Sequence, residues 1–313
     1  MATTGPLDVD APPPRVSFAR RARRTLGRDL LAVAAMILLA VILALALAPE
    51  LFSTHSPIRP SVDRLEPPSA AHFMGTDQFG RDTFSRAVAG AQVSLAVGAV
   101  TVILALAIGV PMGALAGYGY GTRLDDAIMR VMDILLAFPP IILAIAVIAA
   151  LGTEPLDLGV VTVPHITKLL FVIGILYAPQ VARVTRSAVL VERNEQYVLA
   201  EQALGAGHTR ILFRDVLRNC VSPVSVHATV LVANAIIAEA SLSFLGLGIQ
   251  PPQPSWGVML SDAKTYVTSG EWWLTVFPGV LIFVTVCSLN ILGDFLRDVL
   301  DPRELTRGGH GRG

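Results

Sequence analysis

Two lysines, six histidines and two cysteines are the residues from which a catalytic or metal centre would first be assembled, and their spacing assembles none. A phosphate-binding loop of the P-loop type needs a glycine directly before its lysine. Here Lys168 follows Thr167 and Lys264 follows Ala263, which excludes that motif. Gly117-Tyr118-Gly119-Tyr120-Gly121 lacks the G-x-G-x-x-G spacing of a dinucleotide loop and follows no strand pattern. His55, His72, His165, His208, His227 and His310 are scattered, with no HExxH and no other ligand spacing. Cys220 and Cys287 are too few for a thiolate zinc site and read as small inert apolar side chains. The expectation is a chain without catalytic residues, metal ligands or a cofactor of its own. Any energised work must then draw on another chain.

The remaining chemistry sits inside apolar runs. Glu239 is a deep acid, and a central acid costs ~2.5–3.5 kcal/mol on insertion scales, so it should face protein or water rather than lipid. Two roles fit it: an ion-pathway group, or a structural polar anchor or gate. Asn234, Ser241 and Ser243 are its expected hydrogen-bond partners. Asp133 is expected to pair with Arg130, one helical turn away. Gly109, Gly113 and Gly117 repeat at i+4 along one helix face, a spacing that permits close helix packing. Pro139-Pro140 and Pro179 remove backbone hydrogen bonds and predict kinks.

The elements that must hold these groups are membrane spans. Hydrophobic residues make up 53% of the 313, charged ones 15%, and mean hydropathy is +0.62. Soluble domains run near 25% charged, so disorder and a nucleic-acid-binding surface are excluded and an all-α polytopic membrane protein is implied. A span needs about 20 apolar residues. Six stretches qualify: Leu30–Leu51, Ala91–Gly117, Ile128–Leu151, Ile166–Val184, Val224–Leu247 and Leu274–Gly293. Cations orient them. Eighteen lie in the head, the second-to-third and fourth-to-fifth connections and the tail, against six on the other side. Positive charge stays inside, which predicts both termini in the cytoplasm. Residues 1–14 read as a disordered tail within a basic head, 1–29. The arginine-rich head followed by an apolar run reads as an uncleaved first helix (30–51) rather than a signal peptide, because five more spans follow. An extracytoplasmic loop covers 52–90, a core domain 91–297, and a cytoplasmic tail 298–313.

The connection 187–222 is the longest on the cytoplasmic side. It is helix-friendly from Ala188 to Ala206, is broken by Gly205 and Gly207, and resumes as an amphipathic stretch from Thr209 to Leu217. That pattern predicts a helix–turn–helix knob able to dock a cytoplasmic partner. Outside, 52–90 and 248–273 are the two long loops. Trp272 and Trp273 read as interface anchors. Trp256, in Pro-rich sequence before Gly257, is expected to shape a surface for an external partner or the outer gate.

Several motifs in order resemble one family. Tyr197-Val198-Leu199-Ala200-Glu201-Gln202-Ala203-Leu204-Gly205, with Ile211 and Leu217-Arg218-Asn219, resembles the EAA loop of binding-protein-dependent ABC importers. Gly75-Thr76-Asp77-Gln78-Phe79-Gly80-Arg81-Asp82 with Ser85-Arg86, then Leu124-Asp125, Met129-Arg130, Asp133 and Ala137-Phe138-Pro139, are similar to segments of the C-type permease of dipeptide/oligopeptide transporters. So are Glu239 to Gly248, Gln250-Pro251-Pro252, Ser255-Trp256-Gly257, and Asn290, Gly293-Asp294, Leu296-Arg297-Asp298 and Asp301-Pro302. The resemblance covers roughly 70–302. The chain departs from it where Leu199-Ala200-Glu201 replaces Glu-Ala-Ala and Leu217-Arg218-Asn219 replaces Leu-Pro-Asn. Both departures bear on fine contacts with the ATPase partner, not on the loop's existence.

The resemblance implies a type I ABC importer permease fold in a bacterial inner membrane. It implies a second, B-type permease, two ATP-binding subunits that use ATP and Mg, an extracytoplasmic solute-binding protein and a peptide cargo. Tyr197, Ala200, Glu201, Ala203, Gly205 and Asn219 would form the ATPase-coupling loop. Glu239, Asn234, Ser241 and Ser243 are candidates for the translocation pathway or gate, and Asp77, Arg81, Asp82 and Trp256 for external docking. Nickel chelates, glutathione or oligosaccharides fit the same architecture. An ion-coupled secondary transporter would need more deep acids than Glu239 alone, and a membrane scaffold would leave the knob without a role.

Overall fold

The computed structural model describes residues 29–157, 159 and 162–300. The disordered head expected over 1–14, and most of the expected tail, lie outside the described residues. The chain starts with α1 (Leu30–Leu47), whose first amides are capped by Asp29 Oδ1, 3.0 Å from the Leu31 amide and 3.1 Å from that of Ala32. A short α2 (Pro49–Phe52) follows, and α3 (Thr83–Tyr118) begins at a second cap, Asp82. Next come α4 (Arg123–Leu136), α5 (Pro140–Leu151), a two-residue antiparallel pair β1 (Leu156–Asp157) and β2 (Thr162–Val163), and α6 (His165–Glu192). Then α7 (Gln196–Ala203), α8 (His208–Arg210) and a π-helical turn at 211–216 lead into α9 (Leu217–Phe244). The chain closes with α10 (Trp256–Ala263) and α11 (Trp273–Leu300).

Five of these helical segments are long and apolar enough to cross a membrane: α1, α3, α6, 208–244 and α11. Counting α4 and α5 together gives a sixth candidate, but the two are bent by 84°. The single third span expected over 128–151 is therefore two helices. Pro140 sits at the first position of α5 and lacks an amide to continue α4, while Pro139 and Phe138 are each held out of helical geometry by the proline that follows. The expected kink at Pro179 differs in kind, since α6 runs unbroken through that residue. The first helix stops at Leu47, short of the expected Leu51, and α9 stops at Phe244, short of Leu247, whereas α3, α6, α11 and the start of α9 run past their hydropathy limits, their polar ends packed against neighbouring elements.

The tightest seam joins α3 to α6, which run parallel. A Cβ on Gly109 would fall 2.5 Å from the Ala178 carbonyl oxygen, one on Gly113 would strike the Ala182 carbonyl, and one on Gly117 would lie 2.8 Å from the Arg186 carbonyl. Three glycines one turn apart thus seat three successive turns of α6 backbone-to-backbone, which only residues without a side chain allow. α9 and α11 pack beside this pair, and α1 lies against α3 and α11. Ala32 of α1 clusters with Phe295 and Val299 of α11, and Leu300 shares a cavity wall with Glu192 and Asn219, so α1 begins and α11 ends at the end of the bundle where 193–210 protrudes. That end is the knob end below. α10 and the loop 53–82 form the opposite, far end.

Candidate functional site

The knob is shorter than the connection 187–222 expected from sequence. Residues 187–192 continue α6, and 217–222 already belong to α9. Val189, Val198, Ile211, Leu212, Val216 and Cys220 form a small buried core that fixes α7 to the bundle. Polar ties reinforce it. The Tyr197 hydroxyl donates to Glu192 at 2.7 Å, and the Asn219 amide donates to the same Glu192 oxygen at 2.6 Å. Burial and the Glu192 hydrogen bond push the Tyr197 phenol above its ordinary pKa. Arg193 donates to the carbonyls of Gly117 (3.2 Å) and Tyr118 (2.7 Å), capping the end of α3.

Gly205 has φ +83°, with nothing within 4 Å of where a Cβ would stand. Glycine takes this left-handed conformation without strain and ends α7 there. Ala200, Ala203, Leu204 and Gly205 are exposed on this turn, and Leu204 is 86% and Leu199 57% exposed. Glu201 differs from these neighbours: it is half-buried, and its Oε2 has no hydrogen-bond partner. Tyr197, half-buried, and Asn219, exposed, brace the knob through their shared bonds to Glu192.

Glu239 is fully buried and accepts three hydroxyl hydrogen bonds. Ser243 donates at 2.7 Å and Ser255 at 2.9 Å to Oε1, and Ser94 donates at 3.2 Å to Oε2. Each serine also accepts a backbone amide: Ser243 from Ile249 (2.9 Å), Ser255 from Val258 (3.2 Å) and Ser94 from Trp256 (3.3 Å). One carboxylate thereby ties α3, α9 and the start of α10 together. Of the partners expected from sequence only Ser243 takes part. Ser241 donates back to the Ile237 carbonyl of its own helix, and Asn234 is exposed, with its backbone oxygen taken by Tyr177. Ser94 and Ser255 escaped sequence reasoning. Ser255 carried a readable signal, as a cap residue before α10, but Ser94 carried none.

At the far end, Asp77, Arg81, Asp82 and Trp256 are buried within the fold, which corrects their assignment to an outer surface. Arg81 Nε donates to Asp77 at 2.6 Å, and Arg81 and Arg86 each reach Asp262 of α10 at 3.1 Å. Burial raises the Asp262 carboxyl above its usual range, against the pull of Arg86 and Arg81. Burial also pushes the Asp82 carboxyl up, but the Ser85 hydroxyl, His72 and the Ser85 amide outweigh it and hold it below the usual range. The indole Nε1 of Trp256 donates to the Ala87 carbonyl at 3.0 Å, so this residue anchors α10 on α3. Trp273 is likewise buried, donating to Thr76, while Trp272 is exposed. Asp133 pairs with Arg183 of α6 at 2.9 Å, not with Arg130, because α4 lies against α6 and offers a partner on the facing helix.

An open cavity of about 1370 Å³ lies near the knob end between α6, α9 and α11. Gln180, Arg183, Asn219, His227, Asp294 and Arg297 supply polar groups to its wall, and Val184, Val226 and Val230 apolar ones. Glu239, Asn234, Ser241 and Ser243 do not line it. The cavity is lined by residues far apart in sequence, so no local pattern marked it.

The family model described as binding-protein-dependent transport system inner membrane component matches residues 109–305. The dipeptide transport system permease protein of Alkalihalophilus pseudofirmus is 40% identical over 303 residues, 95% of each chain. That of Bacillus subtilis is 37% identical over 291 residues, 93% of this chain and 87% of the relative. The glutathione transport system permease protein of Pectobacterium atrosepticum is 42% identical over 242 residues, 77% of this chain and 76% of the relative. Among solved structures, an inward-facing conformation of the MetNI methionine ABC transporter shares the fold. It aligns at a TM-score of 0.55 and 21% identity, covering 68% of this chain and 96% of that one. With a family model over more than half its length and relatives near 40% identical across almost all of it, this multi-pass membrane chain belongs to the binding-protein-dependent transport system inner membrane components.

Proposed function

We propose that the chain is one permease half of an ATP-driven importer that carries di- or oligopeptides handed over by an external solute-binding protein. A second permease completes the pathway. Two ATP-binding subunits, holding ATP and Mg, dock at the knob end, which faces the cytoplasm of a bacterial-type cell together with both termini. The bent pair α4–α5 counts as one of six spans. This chain contributes no catalytic group.

One observation carries the reading: a knob with its own buried core ends in an exposed apolar tip. Leu199, Ala200, Ala203, Leu204 and Gly205 offer small and apolar surface outside the spans, where a solvated linker would be polar. Its docking would transmit closure of the ATPases to the bundle as rigid-body movement. The cavity beside it, lined by both charge signs, suits release of a zwitterionic solute on that side. The relatives named for dipeptide transport support a peptide cargo. The relative named for glutathione favours a second reading, with glutathione as the solute. Uptake of a labelled dipeptide, competed by other dipeptides or by glutathione, separates the two.

Gly205→Leu tests the knob. A non-glycine residue at φ +83° costs about 1–2 kcal/mol, and no neighbour lies close enough to clash. The chain should therefore insert and pair normally, while the leucine side chain stands on the docking tip. ATPase association and uptake should be lost. Uptake and solute-stimulated ATP hydrolysis at wild-type levels would make the knob a linker only. Glu201→Ala should weaken the same association if this acid stands in for the displaced family glutamate.

A further inference from the structure

At the far end, three residues of the loop 53–82 converge: His55 just after α2, His72 further along, and Asp82, which caps α3. One ligand atom from each lies within 4.8 Å of the others. We propose that His55 Nδ1, His72 Nδ1 and Asp82 Oδ1 form a divalent transition-metal site, taking Zn²⁺ or a similar borderline ion, that clamps the outer loop to the head of α3.

The carboxylate is divided between two tasks. Asp82 Oδ2 is committed to the helix cap, accepting from the Ser85 amide (2.8 Å), the Ser85 hydroxyl (2.6 Å) and Thr54 (3.3 Å). Those bonds orient the group as outer-shell partners orient a metal-ligating carboxylate. Oδ1 is left to the imidazoles: His72 Nδ1 stands at 2.9 Å from it and His55 Nδ1 at 4.0 Å. The two rings lie 4.7 Å apart, centre to centre. A hydrogen-bonded His–Asp pair accounts for His72 alone. His55 Nδ1, bonded to the Thr54 hydroxyl at 3.0 Å, is a second imidazole nitrogen held 4.0 Å from the same oxygen.

The donor set selects the ion. Two imidazole nitrogens with one carboxylate oxygen suit zinc and its neighbours, whereas calcium and magnesium want a shell of oxygens. Bonds of about 2.0–2.2 Å place neighbouring donors about 3.3 Å apart. The His72–Asp82 pair is already inside that limit, and His55 must close by roughly 1 Å. It is exposed, so it can do so by giving up its bond to the Thr54 hydroxyl at 3.0 Å. His72 exchanges its bond to Asp82 for a shared metal, with the proton of the neutral ring on Nε2. The open side of His55 leaves a coordination place for water.

The test uses full-length chain assembled with its partners, purified without a polyhistidine tag, in a His310→Ala background that removes the tail imidazole. After chelator stripping, Zn²⁺ alone is titrated against a chromophoric chelator. One site per chain is expected, with a Kd of roughly 1 µM or tighter, uncompeted by Mg²⁺ or Ca²⁺. His55→Ala and, separately, His72→Gln should each weaken it at least about 10-fold. A zinc absorption-edge spectrum of the chain without site substitutions should show two imidazole nitrogens, which keeps the test independent of how the variants fold. Absence of a stoichiometric site, affinity unmoved by both substitutions, or a spectrum without imidazole leaves a hydrogen-bonded cluster only and overturns the proposal.

Discussion

Glu239→Leu and Glu239→Gln probe the hub that fastens the far end of the bundle. Leucine removes the acceptor of three hydroxyl donors, Ser94, Ser243 and Ser255, at a fully buried position. Interhelical hydrogen bonds within membranes contribute about 0.6–2 kcal/mol each, so the two from Ser94 and Ser255 give roughly 1–4 kcal/mol, and the Ser243 bond within α9 adds to them. Two effects pull the other way. The leucine variant buries no carboxylate, and Ser243 can turn its hydroxyl to its own helix backbone. Neither helps Ser94 or Ser255, whose amide-accepting geometry toward Trp256 and Val258 holds them facing the hub. A net loss of about 2 kcal/mol or more is expected for leucine, near a 30-fold shift in the unfolding equilibrium. Glutamine keeps Oε1 for Ser243 and Ser255 and presents an amide to Ser94, whose hydroxyl must rotate to accept it, so its cost should stay near 1 kcal/mol. The assay is denaturant unfolding of the purified complex in mild detergent, paired with uptake in cells. Leucine as stable as the parent, or glutamine as damaging as leucine, would refute the reasoning. Equal loss of uptake in both variants at unchanged stability, with steep proton dependence in the parent, would instead make Glu239 an ion-pathway group.

Gly113→Ala should cost about 1–3 kcal/mol by overpacking against the Ala182 carbonyl, read as a lowered Tm, whereas Gly279→Ala, with open space at its Cβ, should be neutral or slightly stabilising; equal effects would dissolve the seam argument. A cysteine at residue 60 should react with an impermeant thiol reagent in intact cells and one at residue 207 should not, the reverse pattern inverting the orientation. Purified chain freed of ATPase subunits should show no saturable ATP hydrolysis, measured by phosphate release, because neither lysine follows a glycine.

Five of the expected spans were legible in the sequence because hydropathy is a property of some twenty consecutive residues, whatever they later touch, whereas the run 128–151 is broken into two helices bent by 84°. Gly109, Gly113 and Gly117 were legible for the same reason: their i+4 spacing marks one helix face before any neighbour is known. The turn at Gly205 announced itself through residue type and place, since Gly205 and Gly207 stand close together in the polar connection outside the apolar runs, where glycine favours a helix end. Partner choice was not legible. Asp133 had Arg130 one turn away and took Arg183 from the facing helix. Glu239 had Asn234 and Ser241 close by and took Ser94, 145 residues earlier. Asp77, Arg81, Asp82 and Trp256 were expected at an external docking surface, Trp256 because of its Pro-rich surroundings, yet two loops folding on each other buried them. The two histidines beside Asp82 are 17 residues apart and match no local ligand motif. Hydrogen bonds and ligand sets form between whichever faces the packed backbone brings within about 3 Å. Which faces meet is settled by helix seams and loop docking over the whole chain, and that selection exists only in the tertiary structure.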